Sequence, residues 1–319
     1  MNRHPPTVSV VVLSYNRPTC LGEALASVLA QSYANLDVVV VDNASGASAE
    51  VERIVRRHAR VRLLRNPTNV GFAAGMNRGI EAASGEYVFL TEDDIVLEAD
   101  SVRLLVEYAE ADASAGLLAP LILNREAGTV RCAGGEFVLG GVYRKEIHGA
   151  GAADAGLFPR PFDVTYVAGS SVFARTDFLR GVGGFREEFF MYVEDVELCA
   201  RVIRAGRRIT VVPSARVHHI EPAEETGLAP HLELQKLKNF FALYLLHAPR
   251  RVLPEFFLRY AVLGTLRAAL GRGGNPWASL SASWWALRRA RALRREGRLP
   301  ARRAQDRSQT SRPFLYEQP

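Results

Sequence analysis

The chain has 319 residues, 48% of them hydrophobic, with 40 Lys or Arg against 34 Asp or Glu and a formal net charge of +6. That composition supplies a full apolar core and excludes a disordered or low-complexity chain. Cys20, Cys132 and Cys199 are scattered without metal-ligand or disulfide-framework spacing, which fits a reducing compartment.

Pro6 to Leu13 is β-branched and almost continuously apolar, the pattern of a strand covered on both faces of a parallel sheet. No signal-peptide pattern precedes it, so a cytoplasmic location is expected. The run stops at Ser14-Tyr15-Asn16-Arg17-Pro18. Leu21, Ala24, Leu25, Val28 and Leu29 then keep the spacing of an amphipathic helix, with Thr19 available as N-cap. A second strand, Leu36 to Val41, ends in Asp42-Asn43-Ala44-Ser45-Gly46. A helix around Val51, Ile54 and Val55, a strand from Val61 to Leu64, a helix from Phe72 to Ala83 and a strand ending at Leu90 complete the series. This alternation predicts an α/β fold with a doubly wound, mostly parallel central sheet and right-handed crossovers. It gathers Ser14, Tyr15, Asn16, Asp42, Asn43, Arg65, Asn66, Asn69 and Asp93 at one sheet edge. No Gly-x-Gly-x-x-Gly follows the first strand and no Gly-Lys-Ser/Thr occurs, which argues against dinucleotide oxidoreductases and P-loop enzymes.

The strand Glu86 to Leu90 runs into Thr91 and three adjacent carboxylates, Glu92, Asp93 and Asp94. Open α/β sheets bind ligands at the carboxyl ends of their strands, and packed carboxylates repel one another unless a cation lies among them. A divalent metal site shared with substrate phosphates is the economical interpretation, and a solvated acidic turn is the alternative. Residues 125–161, with Gly134-Gly135 and Gly140-Gly141, read as a hairpin and loop near an acceptor, either a mobile lid or unstructured filler. Glu194-Asp195 stand before Val196, Cys199, Val202 and Ile203, so a helix starts there. Its leading acids serve either as a general base with its neighbour or as complements to the helix dipole. After the strand Ile209 to Val212 come His218 and His219, which are either a metal-ligating position or an unliganded surface pair.

From Arg250 onward there are 15 Arg or Lys against 4 Asp or Glu, so the basicity is local. Phe240, Phe241, Tyr244, Phe256, Phe257, Tyr260, Trp277, Trp284 and Trp285 are interleaved with it or lead into it. Arg-rich helices with aromatic and leucine faces lie in membrane interfaces, drawn to anionic headgroups by about 1 kcal/mol per basic residue. No uncharged run is long enough to span a bilayer. The alternatives are a helical hairpin packed on the preceding domain or an oligomer contact. Nucleic acid is not expected as a partner, since the aromatics cluster with aliphatics and no nucleic-acid module is visible.

The blocks Val8 to Arg17, Val39 to Ser45, Arg65-Asn66-x-x-Asn69-x-Gly71-Phe72-Ala73-Ala74-Gly75-x-Asn77-x-Gly79-Ile80, Gly183-Gly184-Phe185 and Phe189 to Leu198 are, in this order, similar to those of family 2 glycosyltransferases with the GT-A fold. The Asn66–Phe72 block and the Glu-Asp block resemble the rhamnosyltransferase-type members most. The resemblance implies a catalytic domain over residues 1–220, followed by an amphipathic extension over 221–301 and a polar tail over 302–319. It implies an inverting transfer of a sugar from a nucleotide diphosphate donor to a glycan carried on a polyprenyl lipid, at the inner membrane face, in cell-surface polysaccharide synthesis. By the same resemblance Asp42 contacts the base, Ser14, Tyr15 and Asn16 line the nucleotide, and Arg65 with Asn77 faces the ribose or diphosphate. Asp93 takes the metal-binding end of the family's Asp-x-Asp, with Asp94 or Glu92 as substitutes and His219 as a further ligand of Mg2+ or Mn2+. Asp195 is the base, supported by Glu194. The first Asp of that motif is Thr91 here, which also allows a degenerate nucleotide-sugar-binding assembly protein. A sugar-phosphate nucleotidylyltransferase is the other alternative, although it needs a glycine-rich basic loop where Ser14 to Pro18 stand.

Overall fold

The computed structural model describes residues 4–220, 230–272 and 274–297. Its first half alternates as the pattern predicts: β1 (Val8–Ser14), α1 (Pro18–Leu29), β2 (Leu36–Asp42), α2 (Ser48–Val55), β3 (Val61–Arg65), α3 (Gly71–Ala82) and β4 (Tyr87–Glu92). β1 pairs in parallel with both β2 and β4, and β2 with β3. Every residue of β1 is buried, which is why its sequence shows no polar alternation.

β5 (Ile95–Leu97), α4 (Ser101–Ala111), β6 (Ala115–Asn124), β7 (Val130–Cys132), the hairpin β8 (Gly135–Leu139) and β9 (Tyr143–Ile147), β10 (Phe162–Val164), β11 (Ser171–Arg175), α5 (Thr176–Gly181), α6 (Glu194–Arg204) and β12 (Arg208–His219) follow. β11 inserts antiparallel between β4 and β6, and β12 runs parallel to β6, giving the order β10-β12-β6-β11-β4-β1-β2-β3. The glycine-bearing segment 125–161 thus contains β7 and the β8–β9 hairpin, which forms a separate two-stranded sheet.

Two local expectations are corrected. Thr19 does not cap α1, because Pro18 occupies the start of the helix and Arg17 stands at the cap with no side-chain hydrogen bond; proline's fixed φ and missing N–H suit that position. The strand expected to end at Val212 continues to His219, since an irregularity between Val212 and Arg216 lets pairing with β6 resume.

The basic region folds as α7 (Pro230–His247), α8 (Leu253–Phe257), a π-helical turn (Leu258–Leu263), α9 (Gly264–Ala269) and α10 (Pro276–Glu296). Its first helix is built into the preceding domain: Phe240 and Tyr244 meet Tyr143 of β9, and the fully buried Phe241 and Tyr244 also pack on Phe256 of α8. Asn239 Nδ2 donates to the carbonyls of Phe189 at 2.6 Å, Met191 at 2.9 Å and Tyr192 at 2.8 Å. The expected polar tail over 302–319 lies outside the described residues.

Candidate active site

The ends of β1, β2 and β3 share one edge, with Ser14 in register with Asp42 and Asp42 with Arg65. Asp42 is fully buried. Its Oδ1 accepts from the Ser45 amide at 2.9 Å, an Asx turn, and its Oδ2 accepts from Arg65 Nε at 3.2 Å. Arg65 also donates to the Ser48 carbonyl at 3.0 Å and to Glu52 at 3.3 Å, so its guanidinium is tied to α2. Asn16, at φ 60°, accepts from the Gly46 amide at 2.7 Å and closes the loop after β1 against the loop after β2. The Tyr15 side chain stays exposed at the same edge.

Asn43 is the unassigned hub of this edge. Its Oδ1 accepts from Asn66 Nδ2 at 2.9 Å and the Val70 amide at 3.1 Å, while its Nδ2 donates to Asn69 Oδ1 at 2.9 Å and the Gly71 carbonyl at 3.1 Å. The two asparagines of the Asn-x-x-Asn-x-Gly block therefore hold the loop that starts α3. Asn77, within α3, is engaged with the segment before α6. Its Nδ2 donates to the Phe185 carbonyl at 2.8 Å and its Oδ1 accepts from the Phe185 amide at 2.8 Å, pairing backbone groups that lie outside any strand.

The acidic turn is anchored through its backbone. The Asp93 amide donates to the Leu13 carbonyl at 3.0 Å, the Ile220 amide to the Asp94 carbonyl at 2.8 Å, and the Tyr15 amide to Asp93 Oδ2 at 3.1 Å. Asp93 and Asp94 are buried. The guanidinium of Arg17 is paired with Asp94 and lies 3.8 Å from Asp93, while His219 Nε2 is 3.7 Å from Asp94 Oδ2. His218, one residue earlier in β12, points instead to Glu98 at 2.9 Å. Burial pushes the Asp93 carboxyl up to about 7, with the charge of Asp94 adding to the effect and that of Arg17 opposing it. Burial likewise raises Glu92, and Asp94 and Asp93 add to it. Asp94 Oδ1 and Thr91 Oγ1 are buried without a hydrogen-bond partner. Among the described residues no three acidic, histidine or cysteine side chains close into a ready-made cage. An under-neutralised acidic turn with an unsatisfied buried carboxylate oxygen nevertheless fits a divalent cation that completes its shell with substrate oxygens.

Glu194 and Asp195 open α6 after a loop in which Phe190, Tyr192 and Val193 all have left-handed backbone, at φ 57°, 71° and 71°. Such non-glycine conformations cost energy and cluster at functional sites. Asp195 Oδ2 accepts from Tyr166 Oη at 2.7 Å, and Lys145 Nζ of the β8–β9 hairpin sits 4.1 Å above the Tyr166 ring. Burial raises the Glu194 carboxyl well above its ordinary value, with Asp195 and then Glu92 adding to the rise, and Oε2 of Glu194 has no hydrogen-bond partner. Arg17, Tyr166 and Lys145 join these residues as neighbours of the acids. Arg17 stands inside the first motif, whereas nothing in the sequence distinguishes Tyr166 or Lys145.

The mostly parallel sheet with acids at the carboxyl ends of its strands has the architecture of the GT-A fold. The family model described as glycosyl transferase family 2 matches residues 9–130. The N-acetylglucosaminyl-diphospho-decaprenol L-rhamnosyltransferase of Mycobacterium tuberculosis is 29% identical over 241 residues, covering 69% of this chain and 78% of that protein. The pre-mycofactocin glycosyltransferase of the same organism is 30% identical over 194 residues, covering 60% of this chain and 39% of that one. Among solved structures, GalNAc-T7 with UDP, GalNAc and Mn2+ superposes with a TM-score of 0.66 at 16% identity, over 88% of this chain and 55% of the other. The mannosyltransferase PcManGT from Pyrobaculum calidifontis, in complex with GDP-Man and Mn2+, gives 0.54 at 20% identity over 92% and 84%. Residues 9–130 thus match the glycosyl transferase family 2 model, and the relatives support a nucleotide-sugar-dependent glycosyltransferase that resembles the rhamnosyltransferase-type members.

Proposed function

We propose that the protein transfers a sugar, rhamnose by analogy with the relative above, from a nucleoside diphosphate donor to a hydroxyl of a polyprenyl-linked glycan, with inversion at the anomeric carbon. The observation that carries this is Asp195, hydrogen-bonded by Tyr166 just after a strained loop. The acceptor hydroxyl forms its bond to the anomeric carbon while Asp195 takes its proton. The bond to the diphosphate oxygen breaks and the nucleoside diphosphate leaves from the opposite face. Such a base contributes typically ~10²–10⁴-fold. Asp93, Asp94 and His219 would hold a divalent cation, Mg2+ or Mn2+, which when bound stabilises the charge that develops on the leaving diphosphate. Arg17, the cation already beside Asp93 and Asp94, supplies positive charge at the same place. Ser14, Tyr15, Asn16 and Asp42 form the nucleotide edge, with Arg65 acting through its ion pair with Asp42.

The test is a panel of nucleoside diphosphate sugars read out by nucleoside diphosphate release, with and without a polyprenyl-diphosphate-linked N-acetylglucosamine acceptor, in Mg2+ and in Mn2+. Acceptor-dependent release from one donor is expected. Donor binding with no release for any donor and acceptor favours the degenerate binder suggested by Thr91.

A further inference from the structure

The last helices present a surface that the transfer reaction leaves unexplained. α10 packs its small residues inward: Ala278, Ser279, Ala282 and Ala286 are buried, and Ser279 Oγ lies 2.7 Å from Thr265 Oγ1. Its opposite face carries Trp277, Leu280, Trp284 and Leu287, which are 76%, 49%, 61% and 67% exposed. Leu266 and Leu270, in and just after α9, are 54% and 70% exposed. A contiguous sequence of helices leaving this many large apolar side chains in water marks an interaction surface. The face is held rigidly. Asn275 accepts from the Trp277 amide at 2.9 Å and caps α10, its own amide donates to Glu233 of α7 at 2.8 Å, and Arg294 Nη1 donates to the Ala248 carbonyl at 2.7 Å.

The charge around that face has one sign. Between residues 258 and 297 seven arginines are exposed and Glu296 is the sole acid. A two-fold contact would place the same basic patch against itself, whereas an anionic bilayer complements both the arginines and the tryptophans. No described helix is long and apolar enough to cross a membrane, so any bilayer contact of this face lies in the plane of the interface. We infer that the outer face of α9 and α10 docks the protein onto an anionic phospholipid surface, with Trp277, Trp284 and Leu287 entering the headgroup region and the flanking arginines meeting lipid phosphates. This goes beyond the transfer reaction and does not depend on it.

All three tryptophans of the chain lie in α10, Trp277 and Trp284 exposed on this face and Trp285 half-buried against the core, so a change in tryptophan emission on binding reports on this helix. The full-length protein should show a blue-shifted emission and co-sediment with phosphatidylglycerol-containing vesicles, much less with pure phosphatidylcholine, and less as salt rises. The double variants Trp284→Ser/Leu287→Ser and Arg267→Glu/Arg288→Glu should each lower partitioning by about tenfold or more. Both should keep turnover on a water-soluble acceptor, because none of the four residues belongs to the active site. Unchanged partitioning in both variants, or no emission shift with anionic vesicles, overturns the inference. So does a concentration-dependent dimer that Trp284→Ser/Leu287→Ser abolishes, which would assign the face to a second copy. Loss of vesicle binding with turnover intact, or the reverse, keeps this inference separate from the assignment of the reaction.

Discussion

Tyr166 Oη and Asp195 Oδ2 are 2.7 Å apart, and this bond ties the segment between β10 and β11 to the first turn of α6. The phenol is held in its protonated form, since burial and the neighbouring Asp195 charge raise it well above its ordinary value. Toward the carboxylate it therefore donates, which fixes one carboxylate oxygen and orients the side chain.

Asp195→Asn keeps shape and hydrogen-bonding capacity and removes the proton acceptor. Turnover should fall by ~10²-fold or more with donor affinity nearly intact. If the carboxylate only complements the helix dipole, activity stays within a few-fold, because Asn suits a helix start. Single-turnover rate and donor titration on one preparation separate the outcomes.

Tyr166→Phe removes the hydroxyl while keeping the buried ring and its contact with Lys145. A loss of about tenfold in kcat is expected, with KM for the donor unchanged, as for loss of one orienting hydrogen bond to a charged group. A parallel change in KM, or none in either constant, would reduce Tyr166 to a packing role.

Arg17→Gln takes away the guanidinium paired with Asp94 and leaves Glu92, Asp93 and Asp94 without it. In chelator the variant should melt below the wild type, and Mn2+ should raise its Tm by more than it raises that of the wild type, through binding to the native state. Asp93→Ala should abolish the metal dependence of donor binding measured by calorimetry. Wild-type donor affinity that is the same with chelator and with Mn2+ would sink the metal assignment.

Stability should fall in two stages on acidification. Arg204, which only donates, lies 3.3 Å from His247 Nδ1, so Nε2–H faces Glu197 at 3.0 Å and the ring is neutral. Burial holds His247 below 6.5 and, with Arg201 as the main opposing charge, Glu197 is held at about 2 against an ordinary 4.5. Both groups bind protons more tightly when unfolded, so their stabilisation is present above the unfolded values and is lost as pH falls. His247 acts first, below 6.5, and Glu197 between 4.5 and about 2. For Glu197 this amounts to on the order of 3 kcal/mol. Urea midpoints across pH 8 to 4 should lose their upper stage in His247→Gln; an unchanged slope refutes the assignment.

Gly71→Ala should destabilise by about 2 kcal/mol or more, since φ is +82° and a Cβ would stand 2.5 Å from both the ring and the carbonyl oxygen of Phe190. Chemical denaturation measures it, and a loss under about 0.5 kcal/mol would mean that the Phe190 loop yields freely.

The sheet was legible because strands buried on both faces, such as Val8 to Ser14, show unbroken apolar runs, and because the polar residues that end them necessarily collect at one edge. Motif order located the acidic turn and the Glu-Asp pair for the same reason. The partners of those groups were not legible. Tyr166 reaches Asp195 across 29 residues and Asn239 reaches Phe189 across 50, and no periodicity encodes such pairings. The partners of Asn77 and Arg65 were equally hidden: Asn77 bonds the Phe185 backbone and Arg65 bonds Asp42. The aromatic run of α7 suggested an interfacial segment, but the isolated Asn239 within it marked a face turned toward backbone carbonyls.

The three carbonyls that Asn239 holds belong to the loop that presents Glu194 and Asp195. Synthesis proceeds from the N-terminus, so a nascent chain that has emerged only through β12 contains every strand of the large sheet and both carboxylate groups, yet lacks this clamp. On the ribosome the edge formed by β1, β2 and β3 can assemble before Asp195 is set in place, and the loop ahead of α6 reaches its final form with the helix that comes afterwards.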